Sequence, residues 1–345
     1  MNQKLKCYLY ILTKKSAITF AIFSIIISAA LLNGCTHTAE PVSQVGFYLD
    51  TVVQITLYDT GDHESCIKNI QDCFTIIDNY EHLFSATLEG SDIWNINHSD
   101  GRGVIVSDDT VSLLQTALYY SEITDGKVDL TVLPLSELWD FGSEGGSHVP
   151  DDAAIQEAVS HIDYHTVKLE GNTVTLSDPY AAIDLGFIAK GYIADRLKEY
   201  LLEQNVENAC ISLGGNLITI GNKPDGTPYR IGIQKPFANE GETIATISVT
   251  DSSVVSSGIY ERYFYKDNKL YHHLLNTQTG YPEDSNIAGV TILAPTSIEA
   301  DALSTTCYFL GLNDGLKLIE SLDGVEALFV TKDGKLHRSD GFSSQ

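Results

Sequence analysis

Basic residues are scarce in this chain. Its 345 residues include 21 lysines and arginines against 46 aspartates and glutamates, so the formal net charge at pH 7 is −25. A surface of that sign repels a phosphate backbone, which disfavours a function in non-specific nucleic-acid binding. A phosphorylated small molecule would need local help from a helix N-terminus, a lysine or a divalent cation.

Sulfur-containing residues are also few. The sequence has one methionine and six cysteines, none of them in a C-x-x-C pair, which argues against a Met-rich groove and against the usual zinc or redox motifs. Cys66 and Cys73 are seven residues apart, so a helix would place both on one face, and we predict that both lie in the core. The content of 43% hydrophobic and 19% charged residues is typical of a folded soluble protein.

The N-terminus has the pattern of an export signal. An apolar run at residues 17–32 (AITFAIFSIIISAALL) follows four lysines, and no acidic residue precedes Glu40. A small residue, Gly34, comes directly before Cys35, as in a lipobox, where the thiol is lipidated and the signal is removed. We therefore predict a lipoprotein signal peptide over residues 1–34 and a lipid on Cys35. An uncleaved transmembrane helix is the alternative.

This signal sets the expected domain organisation. Residues 35–45 are predicted to be a polar tether, and residues 46–345 the folded domain that carries the function. We expect the mature protein to be lipid-anchored at the cell membrane, facing the periplasmic or extracellular side.

Periodicity along the folded part alternates between helix and strand blocks. The apolar spacing predicts helices over residues 62–84, 110–123, 151–162, 187–204, 297–310 and 315–322. Short alternating or β-branched runs predict strands over residues 51–58, 166–169, 173–176, 210–213, 217–220, 229–234, 243–249, 254–256, 261–265, 271–275, 290–293, 327–330 and 336–337. Residues 124–142 are predicted to be a loop. Blocks of this kind, with many hairpin-joined strands, favour an α+β fold of mixed or antiparallel sheets flanked by helices.

The densest motif is IDLGFIAKGY at residues 183–192. An apolar strand ends at Asp184, Gly186 permits a tight turn, and a helix is predicted to begin at once. Free N–H groups at a helix start favour an anion, and Lys190 adds a positive charge one turn in. The alternative is a plain strand–helix junction with Asp184 as the N-cap.

Two further motifs have both a functional and a structural interpretation. The pair Gly214-Gly215 lies between two strands and either lets a ligand approach the backbone or builds a tight hairpin, which the pattern favours. Within ADALSTT at residues 300–306, Asp301 and Thr305 share one helical face and offer the hard oxygen ligands that Mg²⁺ prefers. Otherwise Asp301 complements the helix dipole and Thr305 is packed.

A fourth motif, YHHLLNTQTGYP at residues 271–282, contains a doubled histidine. Adjacent residues of a strand point to opposite faces, so only one of His272 and His273 can face a site. This disfavours zinc, for which no third ligand is evident.

These segments, in this order, resemble the ApbE family of FAD:protein FMN transferases. The matching strings are DLGFIAKGY, the glycine pair, SSGIYERYF at residues 256–264, HHLLNTQTGYP and ADALSTT. Two upstream strings, LDT at residues 49–51 and GKVDLT at residues 126–131, also fit. The resemblance covers residues 47–322, and a lipobox ahead of it suits the family.

The resemblance implies an ApbE-like fold with an FAD cleft between lobes and Mg²⁺ on the pyrophosphate. It implies an enzyme that attaches FMN from FAD to a threonine or serine of a target flavoprotein and releases AMP. The implied metal ligands are the Asp301 and Thr305 side chains and the backbone carbonyl of Phe187. The implied FAD contacts are Leu49, Thr87, Lys127, Val128, Asp129, Asp184, Lys190 and Leu274.

For the proton of the attacking hydroxyl, His273 is the candidate base, because a neutral imidazole suits that role near pH 7. Asp301 is a second candidate, although acting as a base would conflict with holding the metal. Phe187 is bulkier than the family's usual residue, and Asn276-Thr277 replaces its Asp-Pro, which affects substrate fit rather than chemistry. Two other functions stay open: an FAD pyrophosphatase and a non-catalytic flavin-binding lipoprotein.

Overall fold

A computed structural model describes residues 40–58, 62–142, 148–239 and 241–344, which belong to one compact unit beginning at Glu40. The predicted signal peptide over 1–34, the lipidation site Cys35 and residues 36–39 of the predicted tether lie outside the described residues. Within the described ranges, no helix combines the length and hydropathy needed to cross a membrane.

An eight-stranded antiparallel sheet forms the centre of the fold. The strands of the chain are β1 (Val42–Tyr48), β2 (Thr51–Leu57), β3 (Val104–Ile105), β4 (Val167–Glu170), β5 (Thr173–Leu176), β6 (Ala209–Leu213), β7 (Asn216–Ile220), β8 (Tyr229–Gln234), β9 (Thr243–Val249), β10 (Ser253–Gly258), β11 (Tyr263–Lys266), β12 (Lys269–His272), β13 (Ile287–Ala294), β14 (Glu326–Thr331) and β15 (Leu336–Arg338). The main sheet has the order β1–β2–β6–β7–β10–β13–β14–β15. Three smaller ladders, β3–β5–β4, β8–β9 and β11–β12, lie outside it.

Seven α-helices occur in the described residues. They are α1 (His63–Phe84), α2 (Asp92–Asn97), α3 (Asp108–Ile123), α4 (Leu133–Trp139), α5 (Asp152–Ser160), α6 (Ala189–Glu203) and α7 (Ser297–Ile319). The predicted α+β class is confirmed: antiparallel sheets are flanked by helices. Cys66 and Cys73 are both buried on the inner face of α1, as expected.

Helix α7 packs across β10 and β13 and against α6. Leu303 and Cys307 of α7 and Leu197 of α6 are fully or almost fully buried in the main core. Burying a leucine side chain stabilises a fold by roughly 1.5–3 kcal/mol, so this contact fixes the two helices relative to the sheet. A Cβ atom on Gly191 would lie 2.3 Å from the carbonyl oxygen of Ser297, so only glycine permits this approach.

The glycine pair forms a two-residue hairpin, as the pattern favoured. Leu213 pairs with Asn216 across the turn between β6 and β7. Gly214 has φ 55° and Gly215 has φ 112°, a conformation that side chains with a Cβ atom rarely adopt. The turn makes Asn216 the first residue of β7, an inner strand of the main sheet.

The structure differs from the sequence predictions in several places. Helix α2 and strand β3 were not predicted, and the strand expected to end at Asp184 is only an isolated bridge between Val132 and Ala182. The predicted loop over 124–142 contains α4, whose Leu135 and Trp139 are buried and whose start carries a proline. Strand β1 begins at Val42, inside the predicted tether, because its backbone pairs with β2. Helix α6 begins at Ala189 rather than at residue 187, because a turn over residues 186–188 precedes it. The two predicted C-terminal helices form one element with a break at Gly311, where φ is 82° and ψ is 173°.

Candidate functional site

The turn before α6 is built by Asp184. Its Oδ1 accepts a hydrogen bond from the N–H of Gly186 at 2.7 Å, and its backbone N–H donates to the Leu130 carbonyl at 2.8 Å. The N-cap of α6 is Ile188, which makes no side-chain capping bond, so the alternative with Asp184 as N-cap is wrong. Asp184 instead ties this turn to Leu130, which directly follows the predicted flavin-contact segment 127–129.

Asp301 lies at the start of α6, although it belongs to α7. Its Oδ2 accepts a hydrogen bond from the Gly191 N–H at 2.8 Å, and its Oδ1 lies 3.9 Å from the Lys190 ammonium. The residue is only 3% exposed. Burial raises the pKa of Asp301, and the opposing effects of Lys190, the Gly191 N–H and the Asn216 amide are smaller. The anion expected at this helix start is therefore the chain's own carboxylate.

Thr305 lies one helical turn beyond Asp301 and is also buried. Its Oγ1 is 3.3 Å from the Ser257 Oγ of β10. Ser257 also contacts the Ser304 Oγ at 2.7 Å, and Ser304 donates to the Asp301 carbonyl at 2.8 Å. This chain of hydroxyls fixes the side chains between the helix and the sheet.

The Phe187 carbonyl is available as a ligand. Regular helical bonding would direct the Gly191 N–H to that oxygen, but the N–H is used by Asp301. Among the described residues, no N–H or O–H group donates a hydrogen bond to the Phe187 carbonyl. Nor do the described ranges contain a group of three or more His, Cys, Asp or Glu side chains that could hold a metal. One carboxylate, one hydroxyl and one carbonyl make a donor set that suits a hard cation retaining several waters, as Mg²⁺ does.

Lys190 sits at the centre of the charges in this region. Its ammonium donates to the Gly186 carbonyl at 3.0 Å and approaches Asp301. Its positive charge also opposes the rise in the pKa of Glu261 and contributes to the lowered pKa of His273. The structure therefore brings together the predicted residues Lys190, Asp301 and His273.

His273 is held by the backbone of Arg262. Its own N–H lies 3.1 Å from the Arg262 carbonyl, and its Nδ1 lies 3.3 Å from the same oxygen. A carbonyl only accepts hydrogen bonds, so this contact places the imidazole proton on Nδ1 and the lone pair on Nε2. Burial, together with Arg262 and Lys190, lowers the pKa of His273 to about 4. The imidazole is thus neutral at pH 7.

The neighbouring His272 has a different environment. It is 2% exposed and contacts the Tyr308 ring edge-to-face at 6.2 Å between ring centroids. Burial is the main cause that lowers its pKa to about 3. His272 is therefore a neutral core residue, and only His273 of the pair belongs to the site.

Glu261 is a site residue that the sequence reasoning missed. Desolvation is the main cause that raises its pKa to about 7, and the Asp301 carboxylate raises it further, while Lys190 and Arg262 lower it. The residue is nevertheless exposed to solvent. The string SSGIYERYF contained this residue, but no spacing rule distinguished it from a solvated glutamate.

The segment 127–129 is partly turned inward. Lys127 is exposed and Val128 is buried. Asp129 accepts hydrogen bonds from the Thr131 N–H at 2.8 Å, the Thr131 hydroxyl at 2.7 Å and the Tyr164 N–H at 2.9 Å. Burial raises the pKa of Asp129 in spite of these bonds. Its carboxylate is therefore engaged in holding the loop.

The remaining predicted FAD contacts are less closely tied to this cluster. Leu49 lies in the β1–β2 turn with φ 54°. Thr87 is exposed in the loop after α1 and contacts Ser85. Leu274 is 6% exposed and packs in the main core, while its carbonyl accepts from the Glu283 N–H at 2.9 Å. Any ligand contact from Leu274 would therefore involve little side-chain surface.

Two cavities were found away from the Asp301 carboxylate. One of about 390 Å³ lies between α1 and α6 and contains none of the predicted site residues. The other, of about 190 Å³, is lined by Gly126, Asp129, Tyr164 and Thr277, among others. The second cavity adjoins the predicted flavin-contact segment, where the Thr277 hydroxyl donates to the Gly126 carbonyl at 2.7 Å.

Sequence comparison gives the family of the chain. The sequence model of the ApbE family matches residues 49–329. An FAD:protein FMN transferase from Klebsiella pneumoniae is 39% identical over 262 residues, covering 75% of this chain and 81% of the relative. An FAD:protein FMN transferase from Treponema pallidum is 30% identical over 315 residues, covering 87% of each chain.

Solved structures show the same fold. The ApbE protein from Thermotoga maritima matches with a TM-score of 0.79 at 33% identity, over 87% of this chain and 97% of that one. The flavin transferase ApbE from Vibrio cholerae matches with a TM-score of 0.77 at 26% identity, over 88% and 98% of the two chains. The resemblance suggested by the motifs is confirmed, and the chain belongs to the ApbE family.

Proposed function

We propose that this chain is an Mg²⁺-dependent transferase that moves FMN from FAD to a threonine or serine hydroxyl of an acceptor flavoprotein and releases AMP. Membership of a family whose relatives are FAD:protein FMN transferases supports the reaction class. The observation that carries the metal dependence is the buried Asp301 carboxylate, one helical turn from the Thr305 hydroxyl and beside Lys190.

The residues that would hold the cation are Asp301, Thr305 and the Phe187 carbonyl. When bound, Mg²⁺ neutralises charge on the pyrophosphate and favours departure of the leaving phosphate. Lys190 contributes a second positive charge on a surface that is otherwise strongly acidic. Together these groups would attract the dinucleotide to one point of a protein that repels anions elsewhere.

The transfer step breaks one anhydride bond of FAD and forms one phosphoester bond to the acceptor. The acceptor oxygen forms a bond to the FMN-side phosphorus, the P–O bond of the anhydride breaks, and AMP leaves with that electron pair. The hydroxyl proton passes to Nε2 of His273, whose Nδ1–H is oriented by the Arg262 carbonyl. In the free enzyme, the cations Arg262 and Lys190 help to lower the pKa of His273. An anionic substrate beside Lys190 would offset them and make the imidazole a stronger base.

A transfer assay tests this function. We expect a purified protein, incubated with FAD, Mg²⁺ and a flavoprotein fragment bearing an FMN-accepting threonine, to add one FMN to the fragment, detected by intact mass spectrometry. The matched control is the same fragment with that threonine replaced by valine, which should stay unmodified. Free FMN at the same rate with either fragment would instead identify an FAD pyrophosphatase, and FAD binding without AMP would identify a flavin carrier.

We also propose that the enzyme is anchored by a lipid on Cys35 and acts outside the cytoplasmic membrane. The support is the sequence pattern alone: a cationic start, an apolar run and a small residue before the cysteine. Full-length protein expressed in a bacterium should fractionate with membranes, and Cys35→Ser should prevent lipidation, measured by incorporation of a labelled fatty acid. Labelling that persists in the variant would contradict the anchor.

A further inference from the structure

The side-chain amide of Asn216 is a buried donor without a well-formed hydrogen bond. The residue begins β7, is 2% exposed, and its Nδ2 makes no hydrogen bond among the described residues. Buried amides in folded proteins are normally bonded, because an unpaired buried donor is destabilising. We therefore expect the Asn216 amide to form a good hydrogen bond in another state of the site.

Strand register places Asn216 on the face of the sheet that meets α7. Asn216 pairs with Val255 of β10, and Ser257 lies two residues further along β10, so all three share one face. Ser257 in turn contacts Ser304 and Thr305 of α7. Asn216 therefore points toward the helix that carries the predicted metal ligands.

The Asp301 carboxylate has one oxygen that lacks a close partner. Its Oδ2 is bonded to the Gly191 N–H, whereas Oδ1 lies 3.9 Å from the Lys190 ammonium, which is too long for a hydrogen bond. The Asn216 amide is close enough to this carboxylate for hydrogen bonding to lower the Asp301 pKa, but the contact lacks the geometry of a well-formed hydrogen bond. An unpaired donor and an under-paired acceptor thus face each other beside the predicted cation site.

We propose that Asn216 is a positioning residue of the cation site: its amide N–H donates to the Asp301 carboxylate when the site is loaded and fixes the direction in which that carboxylate faces the metal. The inference rests on the proposed Mg²⁺ dependence of the enzyme. Residues that orient metal ligands in this way typically change metal affinity about 10–100-fold when they are replaced.

The test compares two asparagine variants. Asn216→Leu keeps the approximate shape and removes the unpaired donor, so the metal-free protein should be at least as stable as wild type to thermal unfolding. Its Mg²⁺ affinity should nevertheless fall about 10–100-fold, measured by the Mg²⁺ concentration that gives half of the FAD-dependent rise in melting temperature. In the transfer assay, the apparent KM for Mg²⁺ should rise while kcat at saturating Mg²⁺ is largely retained.

The matched control is Asn208→Leu, at the far end of the same hairpin. The Asn208 amide donates to the Asn222 carbonyl at 2.7 Å, so this variant should lose stability and keep its Mg²⁺ affinity. If Asn216→Leu bound Mg²⁺ as tightly as wild type does, the positioning role would be overturned. It would also be overturned if the variant weakened FAD binding by the same factor in EDTA as in Mg²⁺, a result that would instead assign the amide to the phosphate of FAD. If the wild-type protein showed no response to Mg²⁺, the proposed metal dependence itself would be overturned. A cooperative melting transition verifies that each variant is folded.

Discussion

Replacing Asp301 with asparagine is expected to lower the rate of FMN transfer about a thousandfold or more, because a catalytic cation supplies several kcal/mol of transition-state stabilisation and each 1.36 kcal/mol is a factor of ten. The asparagine Oδ1 can still accept the Gly191 N–H bond, so the junction of α6 and α7 should survive. The measurement is the initial rate of FMN attachment at several Mg²⁺ concentrations, together with the Mg²⁺-dependent rise in melting temperature.

Asp195 provides the matched control for this variant. Its carboxylate accepts hydrogen bonds from the N–H groups of Ser297 and Ile298, at 2.7 and 2.9 Å, and so caps the start of α7. Asp195→Asn keeps one acceptor oxygen and loses the other, so it should cost about 0.5–1.5 kcal/mol of stability for one hydrogen bond, while retaining Mg²⁺-dependent transfer. Asp301→Asn with full activity would remove the carboxylate from the metal site.

Replacing His273 with alanine should slow transfer by about 10²–10⁴, the usual contribution of a positioned general base. FAD binding should be retained, because the lysine and the metal ligands are unchanged. The test is a single-turnover rate with saturating FAD and acceptor, with FAD affinity measured separately by flavin fluorescence. An unaltered single-turnover rate would exclude His273 as the proton acceptor.

The pH dependence separates His273 from Glu261. In the free enzyme the pKa of His273 is lowered to about 4, so its protonation should reduce the rate only as the pH falls toward that value. Glu261, with a pKa raised to about 7, titrates near neutrality. Its ionisation adds negative charge beside Lys190 as the pH rises and should weaken FAD binding. Glu261→Gln should remove that dependence while leaving the acid limb of the profile unchanged.

Much of the fold follows from local pattern. Helix α1 begins one residue after Asp62, whose side chain accepts the Glu64 N–H, and its apolar spacing gave the correct length. Strand β1 was missed because it lies at the edge of the sheet and exposes Val45 and Phe47, so its inward periodicity is weak. Helix α4 was missed because its seven residues are too few for a periodic signal, and the buried Trp139 bond to the Gly280 carbonyl joins residues far apart in sequence.

The site was predictable where its chemistry is local. Asp301 and Thr305 are one helical turn apart, and the structure confirms that both lie in α7 and are buried. The Gly191–Asp301 bond spans 110 residues, and no spacing rule reveals such a contact. The same is true of the Ser257 contact to Thr305 and of the unpaired Asn216 amide, since each depends on how β7 and β10 pack against the helix.

The hydrogen bond from the Gly191 N–H to the Asp301 carboxylate joins α6 to α7 without a bound ion. Because the carboxylate is already seated on α6, removing divalent ions with a chelator should leave the tertiary structure intact. Amide exchange at Gly191 should then be nearly as slow with EDTA as with magnesium, and a cation bound at the proposed site would meet a preorganised carboxylate.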